Sequence, residues 1–112
     1  MTTFQERERA FEAKFAHDEE FRFLVLARRD KLFARWAAGR LGLSDQDEAS
    51  LTASVLAVRD GPGHDEAVLR RVVEAFSGRG ASMGRPELAS TLDRCAVQAR
   101  QQLSDDPPAF RR

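Results

Sequence analysis

Apolar residues recur at three- and four-residue steps along the whole chain, and no segment alternates like a half-buried strand. Between the periodic stretches lie turn-forming clusters: Gly61-Pro62-Gly63, and Gly78, Gly80 and Gly84 in the stretch from Ser77. A chain written this way must bury helical stripes against one another. The expected fold class is all-α, a four-helix bundle preceded by a mobile amphipathic N-terminal helix. At 112 residues it makes one domain plus at most an appendage.

The first helix occupies residues 1–17. Thr3 sits three residues before Glu6, the spacing of a capping box. Phe4, Phe11 and Phe15 fall at i, i+7 and i+11 and form one aromatic stripe. Glu6, Arg7, Glu8, Arg9, Glu12 and Lys14 alternate in sign on the remaining surface. Three phenylalanines on so short a helix are costly to leave in water. They either fold back on the bundle or dock in a partner's groove. An isolated helix of about 15 residues is marginal in water, so residues 1–17 are expected to be mobile or transiently helical in the free protein.

The bundle occupies residues 18–103. Its first helix is capped by Asp18 and stopped by Gly42. No Gly or Pro separates His17 from Phe21, so one long helix from Thr3 to Leu41 is the alternative. The set Phe21, Val25, Leu32 and Trp36 lies on a different side of the cylinder from the aromatic stripe, which favours two helices. This segment carries a second apolar side (Phe23, Leu26, Phe33, Ala37, Leu41), as expected of a central helix. The sharper alternative is that the second side receives Phe11 and Phe15 when the first helix is idle. Further helices follow Ser44 (Leu51, Val55, Val58), Asp65 (Val68, Val72, Phe76) and Pro86 (Leu88, Leu92, Cys95, Ala96, Ala99, Leu103). Residues 104–112, with Pro107-Pro108, read as a flexible tail.

Balanced charge, with 18 basic and 18 acidic residues, removes any global drive toward nucleic acid or an acidic membrane. No apolar run approaches the roughly 20 residues that span a bilayer, so direct membrane insertion is not expected. The N-terminus lacks a basic region followed by an apolar stretch, so it does not read as a signal peptide. A single cysteine excludes an internal disulfide, and a cytoplasmic setting is expected. Nothing points to an enzyme, a cofactor or a metal. Cys95 lies on an inner stripe as a small core residue. The acidic residues beside His17 and His64 are accounted for as favourable charges at helix starts. A basic cluster on the second helix is read first as a solvated face. Its stripe Arg22, Arg29 and Arg40 is a candidate phosphate or nucleotide site, with ATP or ADP as the ligand.

The strings Thr2-Thr3-Phe4, Arg7-Glu8, Ala10-Phe11-Glu12-Ala13-Lys14-Phe15-Ala16-His17-Asp18 and Ala27-Arg28-Arg29, followed by Trp36-Ala37-Ala38, carry a resemblance. They closely resemble the zeta-type ATPase inhibitor family of alphaproteobacterial F-type ATP synthases. The likeness is specific from residue 2 to about 43, looser through Gly63-His64-Asp65-Glu66 with Arg70 and Arg71, and thin after Phe76. The resemblance implies a four-helix bundle with a mobile N-terminal segment. It also implies inhibition of ATP hydrolysis, with that segment inserted at a catalytic interface of the synthase head. The alpha, beta and gamma subunits are then the partners, and hydrolytic rotation is blocked. Carried over by position, Phe4, Arg7, Phe11, Lys14 and Phe15 are the implied contacts. Gln5, the apolar Leu24-Val25-Leu26 and the Pro-containing tail depart from the family's pattern.

Overall fold

The computed structural model describes residues 3–105, apart from the side chains of Phe11 and Phe15. Helices account for nearly all of it: α1 (Phe4–Leu41), α2 (Asp45–Leu56), α3 (His64–Gly78) and α4 (Arg85–Asp105). The described residues contain no strand.

The first two expected helices are one. Without Gly or Pro between Thr3 and Gly39, nothing breaks the hydrogen-bond ladder, and α1 runs for 38 residues. Asp18, Glu19 and Glu20 are therefore mid-helix and cap nothing, which corrects the helix-start reading of these acids. Asp18 instead pairs with Lys14 at 3.8 Å, and Glu19 with Arg22 at 3.8 Å. The ends of α1 follow the sequence. The Thr3 hydroxyl accepts from the Glu6 amide at 3.1 Å. Gly42 closes the helix with φ 65°, a left-handed conformation that glycine adopts without strain, and the Leu43 amide reaches the Ala38 carbonyl at 3.0 Å. Ser44 caps α2 through the Asp47 amide at 3.1 Å.

The second half of α1 is the centre of the bundle. It packs against α2, α3 and α4, which explains why it is apolar on more than one side. Phe33, Ala34 and Ala37 meet Val55 of α2, Val68, Val72 and Phe76 of α3, and Leu88, Leu92 and Cys95 of α4. Phe33 stacks on Trp36 with centroids 5.9 Å apart, and Trp36 tilts against Phe76 at 6.2 Å. A smaller cluster joins Val25 to Ala99 and Leu103 with Phe21 and Leu24 beside it, which ties the end of α4 to the middle of α1. The expected inner stripe of α4 is buried at Leu88, Leu92, Cys95, Ala99 and Leu103. That helix extends two residues into the expected tail, to Asp105. The rest of the tail, 106–112, lies outside the described residues.

The first half of α1 has no such neighbours. Every described side chain from Phe4 to Asp18 is exposed, and burial starts in earnest only at Phe21 and Val25. At 1.5 Å per residue, positions 4–20 project roughly 25 Å from the bundle. The molecule accordingly measures 65 × 27 × 21 Å.

Candidate functional site

The projecting end of α1 holds five of the residues singled out in the sequence. Phe4 is 75% exposed. Arg7 and Lys14 are exposed as well. Positions 11 and 15 belong to the helix, and their side chains lie outside the described residues. A continuous helix fixes the register of this face. Steps of seven and four residues carry 4, 11 and 15 on through Arg22 and Arg29 to Phe33, the side of α1 that faces α3. The aromatic stripe and the α3 side of the bundle thus share one face of one helix. Whether Phe11 and Phe15 meet the second apolar side rests on side chains outside the described residues. Phe33, a member of the proposed receiving surface, is wholly covered by the bundle.

Where the arm leaves the bundle, some apolar surface stays open. Phe23 is 54% exposed and Leu56 of α2 is 46% exposed. A cleft of about 700 Å³ separates Arg22, Phe23 and Leu26 from the connection that carries Gly61, Pro62 and Gly63. No helix among the described residues is long and apolar enough to cross a membrane.

The basic stripe behaves differently from the arm. Arg22, Arg29 and Arg40 do not meet. Arg22 and Arg40 are 18 residues apart, roughly 27 Å along the axis. The guanidinium of Arg40 lies 5.6 Å from the Trp36 ring centroid, a cation–π contact. That of Arg29 is buried, with 6% of the residue exposed, and already committed. It donates to Asp30 at 2.9 Å and to Asp65 at 2.8 Å. Burial opposes its charge, but the bond to Asp65 and the attraction of both carboxylates outweigh burial and raise its pKa. The geometry that would gather one phosphate on these three residues is not present.

The buried pair reaches further, to a residue that sequence reasoning left aside. His64 Nε2 lies 2.7 Å from Asp30 Oδ2, and its Nδ1 lies 2.9 Å from the Arg59 carbonyl. Asp65, expected only as a favourable charge at a helix start, is the second carboxylate on Arg29, and Glu66 pairs with Arg85. A network of Arg29, Asp30, His64 and Asp65 thus fastens the start of α3 to α1. Burial works against the charged His64 ring and Arg29 repels it. The Arg59 carbonyl and Asp30 prevail, and the pKa of His64 is raised. Its sequence signal was weak, because the partner of His64 lies 34 residues away on another helix. Cys95 is buried in the core, and burial pushes its thiol pKa up, away from nucleophilic use.

The described residues make a small helical bundle from which one helix projects. Among the described residues, no group of His, Cys, Asp and Glu could hold a metal ion. The chain belongs to the family described as ATPase inhibitor subunit zeta, whose pattern it matches over residues 1–102. No curated protein and no solved structure matches it. The match takes in the arm and nearly all of the bundle, and it leaves out residues 103–112.

Proposed function

We propose that this protein restrains ATP hydrolysis by an F-type ATP synthase, with the projecting end of α1 as the effector and the bundle as its carrier. The observation that carries this reading is the arm itself: a capped helix in which Phe4 and the charged residues around it stand clear of the bundle. Residues 1–17 insert at a catalytic interface of the head, between alpha and beta subunits and against gamma, and obstruct hydrolytic rotation. Phe11 and Phe15 are the buried anchors, while Phe4 extends the apolar contact. Arg7 and Lys14 pair with carboxylates at the rim of the groove. Burying one phenylalanine ring contributes roughly 1.5–3 kcal/mol, so the anchors dominate the affinity. The protein acts as a binding partner and not as an enzyme. Its place is the cytoplasm, at the inner membrane when it is bound to the synthase.

The test is ATP hydrolysis by the isolated catalytic head, titrated with the full chain and with a chain that begins at residue 18. The shorter chain keeps every residue described as buried, the first of which is Val25. Inhibition by the full chain alone is the expected result. Equal inhibition by both would move the effector into the bundle, and no inhibition by either would overturn the reading.

A further inference from the structure

The histidine at the start of α3 sits between two groups that can only accept hydrogen bonds. One is the Arg59 carbonyl at 2.9 Å from Nδ1, and the other is the Asp30 carboxylate at 2.7 Å from Nε2. A neutral imidazole has one N–H and satisfies one of them; an imidazolium donates to both. The Arg59 bond closes the connection 59–64 into a ring, and the Asp30 bond fastens that ring to α1. We infer that His64 is a pH-operated latch. Charged, it holds the α2–α3 connection closed and docked on α1 at the root of the arm; neutral, it keeps its bond to Asp30 and lets the connection open at Arg59.

Charge balance and surroundings support the two states. Arg29 and a protonated His64 supply two positive charges, against the two negative charges of Asp30 and Asp65. Loss of the ring proton to solvent leaves this quartet with one uncompensated negative charge, most of it out of water. The remaining proton belongs on Nε2, where it faces an ionised carboxylate, so the bond to the neutral Arg59 carbonyl is the one that fails. From α1 the groups facing His64 are Asp30, with Arg29 behind it and Arg22 across the cleft. From the connection they are Asp60, 3.8 Å from Nδ1 and mostly exposed, and Arg59. From α3 Asp65 and Glu66 line the same cleft and Arg71 the adjoining one, and α2 contributes the apolar Leu56. On α4 the Cys95 thiol senses the Arg29–Asp30 pair. Arg29 is the cation that opposes protonation through the pair it shares with His64, and both carboxylates hold it. The cleft above the latch, about 700 Å³ between Phe23, Leu26 and Gly61 to Gly63, borders the segment that is released. The latch belongs to the free protein and stands whether or not the arm binds the synthase.

The experiment is an NMR pH titration of the full chain, with hydrogen exchange at the non-proline amides of residues 61–68 corrected for its intrinsic pH dependence. The His64 ring is expected to titrate above pH 6.5, with the amides of Asp30, Gly63 and Asp65 following the same curve. Protection across 61–68 should fall about tenfold through that titration, the scale of one lost hydrogen bond. In His64→Gln, a conservative change beside a surface connection, protection should stay flat with pH. Titration of His64 at or below 6.5 would overturn the latch. So would an equal fall in protection in the variant.

Discussion

Residues 4–20 and 21–41 belong to the same helix and owe their helicity to different physics. The outer half rests on local terms: the Thr3 cap, the Lys14–Asp18 pair and unbroken helix-compatible sequence. The inner half rests on tertiary burial, with Phe33, Ala34 and Ala37 fully enclosed by the other three helices. Local terms are worth a few tenths of a kcal/mol to about 1 kcal/mol each. Burying one large apolar side chain outweighs them. The comparison teaches that one continuous element can be held by the core at one end and by local terms alone at the other. Its buried half is held by the core, and the described side chains of its outer half stay in solvent.

The sharpest contrast is between two phenylalanines on one face of the helix. Phe33→Ala should lower global stability by about 3–5 kcal/mol in chemical denaturation, as expected for a large cavity in the core. Phe11→Ala should change the same curve by less than about 0.5 kcal/mol. A comparable loss at position 11 would mean that the arm is part of the folded core. Arg29→Ala comes next. Removing one member of a buried ion pair should cost on the order of 3 kcal/mol, because Asp30 keeps only His64 as a cationic partner. A loss under about 0.5 kcal/mol would show that the network is ornamental to the root of the arm.

In inhibition assays the ranking reverses. Phe11→Ala or Phe15→Ala should weaken inhibition by roughly 1.5–3 kcal/mol, a factor of about ten to a hundred. Arg22→Ala, close to the root, should leave inhibition nearly unchanged. Stability against pH separates the regions again. The folded pKa of His64 is raised above its ordinary 6.5. Its stabilising contribution is therefore complete below about pH 6.5 and fades as pH rises through the higher folded value. Denaturation of wild type and His64→Gln should differ in slope over that interval, and parallel curves would remove His64 from the account. The smallest effect is expected from Thr3→Ala, about 0.5–1 kcal/mol of local helix stability. Faster amide exchange at residues 4–8 should show it, with no shift in the global midpoint.

How far the chain could be read in advance differs residue by residue. Gly42, Ser44 and the inner stripe of α4 were legible, because caps and periodicity act within a few residues. At residue 18 the two-helix expectation fails and its alternative, one helix from Thr3 to Leu41, holds. An aspartate before an apolar run looks like a cap, yet without a helix breaker an uninterrupted hydrogen-bond ladder prevails over a change of apolar side. Arg29 looked like one of several surface cations. Its burial depends on Asp65 arriving from α3, and nothing local signals that. His64 was set aside for the same reason, with its partner on another helix.

By itself, the sequence determined that this chain is all-helical, where most helices begin and end, and that its first turns carry an aromatic stripe. These properties follow from short-range sterics, capping and periodicity, which act within a turn or two of the chain. Only the tertiary structure decided that α1 is continuous and central, that its outer half stands clear, and that Arg29, Asp30, His64 and Asp65 meet. Such outcomes depend on which distant groups share a desolvated space, where a charge must find a partner or carry the cost of burial alone.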